Sequence, residues 1–214
     1  MELWTLWNHV LQAALEYLAA HFGLSEAVSI IVLTLVVRTT LSPISLLAAY
    51  RGQQKKEALE ALKPKLEALR QAHQGSELAA RTLALHREHG ITFIDKLTLF
   101  NIGTQGTFAL GIFQCLRRTI FSSRFLWIAN LAKPDLYLTV IVSVLMLLGM
   151  AVLPGATSSP SMLLLLAIPL CLSVLAIATM PSALGIYWAT SNAITLFQNL
   201  VLRAMLAKTR PLGA

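Results

Sequence analysis

Residues 27–50 read AVSIIVLTLVVRTTLSPISLLAAY, a stretch of 24 residues whose single charge is Arg38. About 20 consecutive apolar residues are enough for a helix to cross the hydrocarbon core of a bilayer. The nearest charges along the chain are Glu26 and Arg51, twelve and thirteen residues from Arg38. At 1.5 Å per residue each lies about 18–20 Å away, which puts Arg38 near mid-bilayer. An arginine at that depth costs roughly 2.5–3.5 kcal/mol on insertion scales and marks a functional position by default.

The composition extends this reading to the whole chain. Of 214 residues, 56% are hydrophobic and 13% charged, and the mean hydropathy is +0.68. A soluble domain carries about 25% charged residues. Disorder, collagen-like repeats, coiled-coil rods and most soluble enzymes are therefore excluded, and the expected fold class is an all-α integral membrane protein. Four further apolar spans are expected at 97–116, 136–153, 162–180 and 181–202, five in all. Pro154, Gly155 and Pro160 mark the turn between the third and fourth. Pro181 suits the first turn of the fifth, where its missing N–H is no loss.

Before the first span, Thr5, His9, Gln12 and Glu16 recur every three or four residues as one polar stripe. Trp4, Trp7, Leu11, Leu15, Leu18 and Phe22 fill the rest. The two faces suit a helix lying in the membrane interface; the other reading is the polar start of a long first span. The opening MELWTLWNHV has neither a basic n-region nor a small-residue cleavage site, so no secretory signal is expected. An Arg-rich transit peptide is also absent, which favours a bacterial plasma membrane over an organelle. Cys115 and Cys171 both lie in apolar segments, without the spacing of a disulfide framework or a metal site.

The one large polar insert, 51–96, holds nine basic and six acidic residues. Leu59, Leu62, Leu66 and Leu69 are spaced as a helical seam. Gly75 and Ser76 break it, with Ser76 the expected N-cap of a second helix that carries Leu78, Leu83 and Leu85 and runs to about 89. The expectation is a helical hairpin outside the membrane, its charges either a solvated face or a docking surface. His86 and His89 share a face, but no third ligand is near and no metal is expected. The divisions are 1–24 for the interfacial helix, 25–205 for the core including the hairpin, and 206–214 for a short tail. With the N-terminus outside, the inner side carries twelve basic residues and the outer side four: Arg117, Arg118, Arg124 and Lys133. The excess favours N-out and C-in, with the hairpin and tail cytoplasmic.

None of the five spans contains Asp or Glu. Arg38 then has no acidic partner in its own membrane segment. It faces a hydrated cavity, another molecule of an oligomer, or a cluster of carbonyls. Polar residues agree in phase: Thr34, Arg38, Ser42 and Ser45 on the first span; Thr98, Asn101, Thr104 and Gln105 on the second; Trp188, Asn192, Thr195, Gln198 and Asn199 on the fifth. Such residues also join helices, but three stripes and an arginine point to a shared polar groove. The fourth span, with only Ser173 in its middle, reads as lipid-facing.

Specific strings now matter. The loop FLWIANLAKPD at 125–135, the segment LHREHG at 85–90, and GIYW at 185–188 followed by Ser191, Asn192 and Gln198 resemble motifs of the YidC/Oxa/Alb family of membrane protein insertases. Arg38 falls where that family has a groove arginine. The resemblance covers about 20–205. Departures are visible: Thr92-Phe93 stands where the family has Asn-Pro, Gln105 keeps its place while Thr107 replaces a proline, and 136–153 lacks a groove glutamine. The resemblance implies a divergent, short member without a large outer domain.

It also implies a function. Such a protein is not an enzyme. It moves hydrophilic segments of nascent membrane proteins through a polar groove and releases their helices into lipid. The residues so implicated are Arg38, Thr34, Ser42, Asn101, Gln105, Trp188, Asn192 and Gln198. Its partners would be nascent membrane proteins and the bilayer, with a ribosome and a Sec-type translocon as further candidates. No basic stretch is interleaved with aromatics, so no nucleic-acid sequence is expected as a partner. No G-x-x-x-x-G-K-[ST] motif is present and no cofactor is expected. The rivals are a small transporter or channel using Arg38 as an anion site, and a passive assembly scaffold.

Overall fold

Seven helices make up the regular structure among the described residues of the computed structural model: α1 (Glu2–Phe22), α2 (Glu26–Ala72), α3 (Gly75–Glu88), α4 (Lys96–Arg118), α5 (Leu136–Val152), α6 (Pro160–Thr179) and α7 (Ser182–Thr209). The described residues are 2–90, 95–119, 121, 123–153 and 160–209, with backbone alone at 160–166, 169 and 209. The expected turn at Pro154 and Gly155 and the site of Thr92 and Phe93 lie outside them.

Two boundaries, the end of α2 and the start of α3, differ from the sequence reading, and the break between α1 and α2 falls where that reading put it. α1 and α2 are separate helices, divided at Gly23, whose φ of 61° is the left-handed conformation that closes a helix. The first 22 residues and the first apolar run are therefore not one continuous helix. α2 does not stop near 50 but continues to Ala72, 47 residues in all. Residues 53–72 are mostly Ala, Leu, Glu, Lys and Gln, all good helix formers, and Pro64 does not end the run. The N-cap of α3 is Gln74, without a side-chain cap bond, rather than Ser76. By length and composition, α2 is the one helix among the described residues that suffices to cross a membrane; Leu136–Val152 is apolar but shorter.

The chain divides into two compact units, Ile44–Thr104 and Met1–Pro43 with Gln105–Ala214. In the first, the leucines of the expected seam are among the more buried side chains of the hairpin. Leu62 is buried, Leu59, Leu66 and Leu69 are half-buried, and α3 contributes Leu78, Leu85 and buried His86. Leu83 is 56% exposed and does not belong to the seam. Glu77 pairs with His73 at 3.2 Å and with Arg81 at 3.0 Å. Ser45 and Asn101 hydrogen-bond at 2.9 Å.

In the second unit, the loop 125–135 organises two helix starts. Phe125 and Ile128 exchange backbone hydrogen bonds of 2.9 and 2.8 Å, closing a turn with Leu126 at φ 51°. Asp135 caps α5 by accepting from the Leu138 N–H at 2.7 Å, and also from the Trp127 indole at 3.2 Å. The carbonyls of Lys133 and Leu131 accept from the N–H groups of Ser182 and Ala183, at 3.0 and 3.1 Å. These would otherwise be orphan donors at the start of α7. The carbonyl of Pro181 accepts the next bonds, so Pro181 immediately precedes the helix.

Glycine sets the closest approaches. A Cβ at Gly185 of α7 would sit 2.6 Å from Leu138 Cδ2 of α5. One at Gly111 of α4 would overlap Trp7 and Leu11 of α1. α1 is further tied to α4 by the Trp4 indole donating to Gln114 Oε1 at 3.0 Å. The outer faces remain apolar: Leu172 and Leu175 of α6, Val144 and Leu147 of α5 and Phe197 of α7 are all exposed. Contiguous apolar surface of this kind is what a helix bundle presents to lipid.

Replacing Gly185 by Val should lower the melting temperature of the purified protein, through an overpacking cost of about 1–3 kcal/mol. Gly103→Ala, where a Cβ would meet nothing within 4 Å, should be neutral or slightly stabilising. Thermal unfolding of both variants in one detergent checks this.

Candidate functional site

Arg38 is half-buried on α2. Its guanidinium donates to Gln105 Oε1 of α4, to the Ser191 carbonyl of α7 at 3.2 Å and to Thr195 Oγ1 of α7. Its Nε is buried without a hydrogen-bond partner among the described residues. All the acceptors are neutral. The ion pairs among the described residues are Arg51–Asp95, His73–Glu77 and Arg81–Glu77, none of which involves Arg38. Of the surroundings left open for Arg38 by the sequence, the structure shows oxygens of its own chain, from α4 and α7.

These acceptors come from helix periodicity. Ser191 and Thr195 lie one turn apart on α7, and the Thr195 hydroxyl also bonds the Ser191 carbonyl at 3.0 Å. One turn beyond Arg38, Ser42 Oγ accepts from Gln198 Nε2 at 2.7 Å. Gln198 is likewise one turn beyond Thr195 in sequence. Arg38 and Ser42 on α2 thus meet Thr195 and Gln198 on α7 in register, and Gln105 joins from α4. Farther along α7, Asn199 Nδ2 donates to the Gly149 carbonyl of α5 at 2.9 Å.

The expected site residues separate into groups. Arg38, Ser42, Gln105 and Gln198 come together. Thr34 does not contribute a free polar group: it is 0% exposed and its hydroxyl bonds the Ile30 carbonyl of its own helix at 2.7 Å. Asn192 similarly donates to the Trp188 carbonyl at 2.8 Å. Trp188 is half-buried and packs against the apolar core. Asn101 bonds Ser45 within the other unit. The Ser191 carbonyl was not singled out from sequence, since a backbone acceptor leaves no compositional signal. Among the described residues, no group of His, Cys, Asp and Glu is arranged to hold a metal.

The site can therefore hold a full positive charge in apolar surroundings without neutralising it. Neutral acceptors fix the plane of the guanidinium, while the charge stays available to an acidic group, whose hydrogen bond would be stronger than those it displaces.

Comparison with known proteins agrees with the motifs. A family model described as 60Kd inner membrane protein matches residues 17–209. Membrane protein insertase YidC 2 of Streptococcus agalactiae serotype III (strain NEM316) is 27% identical over 212 residues, 92% of this chain and 68% of that protein. YidC 1 of Listeria monocytogenes serotype 4b (strain F2365) is 27% identical and covers 92% and 71%. YidC of Helicobacter pylori (strain ATCC 700392 / 26695) is 26% identical over 207 residues, 94% of this chain but 37% of that longer protein. With residues 17–209 matched by the family model, this chain belongs to the 60Kd inner membrane protein family, that of the YidC insertases.

Proposed function

We propose that this insertase of the bacterial plasma membrane carries hydrophilic segments of nascent membrane proteins across the bilayer along a polar path beside Arg38, and releases their apolar helices into lipid. Family membership supports the insertase activity. The observation that carries the path is the charge of Arg38 held by neutral acceptors among the described residues, with Ser42 and Gln198 continuing the polar line one turn on. A hydrophilic segment in hydrocarbon loses its hydration at large cost. Polar side chains, and water beside them, would replace part of that hydration. A carboxylate on the moving segment would exchange with Gln105 or Thr195 for the guanidinium, a charge-assisted bond in place of a neutral one. Partitioning of the following apolar helix would supply the driving force, aided by the membrane potential acting on substrate charge.

The same reading places five spans in the membrane with the N-terminus outside. α1 lies in the outer interface, where its exposed Leu3, Leu6 and Val10 meet lipid. The hairpin and the C-terminal residues face the cytoplasm, and the hairpin's basic residues are the surface offered to a ribosome or a Sec-type channel. The basis is the excess of basic residues assigned to that side. In a Cys171→Ser background, Gln74→Cys should resist an impermeant maleimide added to intact cells, and Ala129→Cys should react. Labelling of Gln74→Cys from outside would reverse the orientation.

An Arg38 series tests the mechanism. Arg38→Ala removes the donor that ties Gln105 of α4 and Thr195 of α7 to α2 and should cost about 1–3 kcal/mol of stability. Arg38→Gln keeps a donor and loses the charge. With Arg38→Gln, insertion of a substrate whose translocated segment carries acidic residues should fall about tenfold, while its neutral counterpart changes little. Arg38→Lys should retain part of the activity, keeping charge but not the planar fork that reaches two helices. The readout is protease protection of the two substrates in cells depleted of the wild-type protein. Equal loss for both substrates would leave Arg38 as a structural tie.

A further inference from the structure

A cavity of about 460 Å³ opens between α1, the start of α2 and the end of α4. Leu15 of α1, Ile30 of α2 and Phe121 give it an apolar wall. Glu16, Glu26, Ser29 and Arg118 supply its polar groups. Glu16 and Glu26 are acidic and Arg118 is basic, yet no ion pair joins them among the described residues. Glu26 is held in place through Oε2, which accepts from the Ser123 hydroxyl at 2.6 Å. Glu16 accepts from Gln12 at 2.9 Å. Ser29 is 2% exposed, and its hydroxyl has no hydrogen-bond partner among the described residues. A buried hydroxyl is rarely left unmatched in a native structure, and when it is, an absent partner is a direct explanation.

These groups make opposite demands on a ligand. The apolar wall wants an acyl chain. Arg118 wants an anion, the two carboxylates want a cation, and the Ser29 hydroxyl wants an acceptor oxygen. Opposite charges kept apart around one cavity complement a zwitterion better than an anion or a neutral lipid. α1 also turns exposed Leu3, Leu6 and Val10 outward, so the helix that walls the cavity has a lipid-compatible outer face. We propose that this cavity binds one phospholipid with a zwitterionic headgroup and a primary ammonium, a phosphatidylethanolamine. Its phosphate would meet Arg118, its ammonium Glu16 and Glu26, and an ester or phosphate oxygen Ser29. The carboxylates accept hydrogen bonds from a primary ammonium, which donates three. A trimethylated ammonium donates none and would lose that recognition. The bound lipid would fill the gap between α1 and the bundle, and α1 would dock more firmly when it is present.

The test is native mass spectrometry of the full chain in detergent. Phosphatidylethanolamine, phosphatidylcholine and phosphatidylglycerol with identical acyl chains are offered at equal concentration. The expected result is one retained phosphatidylethanolamine, preferred over each of the others. Arg118→Gln, at an exposed position, should reduce retention about tenfold, the loss expected for one charge-assisted contact. Glu16→Gln combined with Glu26→Gln should erase the preference over phosphatidylcholine. Ala19→Trp, which puts a large ring into the cavity wall, should abolish binding. Equal retention of phosphatidylethanolamine and phosphatidylcholine overturns the ammonium recognition, and preference for phosphatidylglycerol overturns the zwitterion. Undiminished binding to Ala19→Trp overturns the location.

Discussion

A guanidinium in the middle of an apolar helix must be solvated by something, and here the solvent is a set of neutral oxygens from two other helices. Gln105, the Ser191 carbonyl and Thr195 hold Arg38 in position without cancelling its charge. A carboxylate in the same place would have formed a buried pair, satisfied and inert toward a passing acidic group. The neutral shell joins α2, α4 and α7 at one level and leaves the guanidinium charge uncancelled. On the path proposed above, structure and activity would rest on the same hydrogen bonds, and removing the arginine would disturb both.

The remaining helices position that site. α5 can lie against α7 because Gly185 leaves room for Leu138. The start of α7 is held by the carbonyls of Leu131 and Lys133, in the loop that also caps α5 through Asp135. The string FLWIANLAKPD therefore has a physical task within this chain: it satisfies the first N–H groups of two helices that otherwise begin with unmet donors. The short turn carries a non-glycine residue, Leu126, at positive φ, a conformation that persists only where surrounding bonds impose it.

Much of this was legible in the residues. The apolar runs located every helix of the bundle, because lipid-facing and core-facing positions alike demand apolar side chains. Arg38 stood out because mid-span charge is costly. Helical phase aligned Ser42 with Arg38 and Thr195 with Gln198. What periodicity could not resolve was which polar residues face inward to their own backbone. Thr34 and Asn192 share the phase of the stripes but spend their hydrogen bonds on their own helices. The continuation of α2 past 50 was hidden because a change from apolar to charged composition alters what surrounds a helix without ending it. The division of α1 from α2 was read from the polar stripe that ends before the first apolar run, and Gly23 supplies the left-handed residue that makes the break.

Site-specific photo-crosslinking to a stalled nascent membrane protein tests the central claim most directly. A photoreactive residue is placed in turn at Ser42, Gln105 and Gln198, beside Arg38, and at Leu172, which is 62% exposed on the outer face of α6. The account predicts crosslinks from the first three positions to the hydrophilic segment of the substrate, and none from position 172 to that segment. Crosslinks confined to position 172, or absent at all three positions around Arg38, would contradict it.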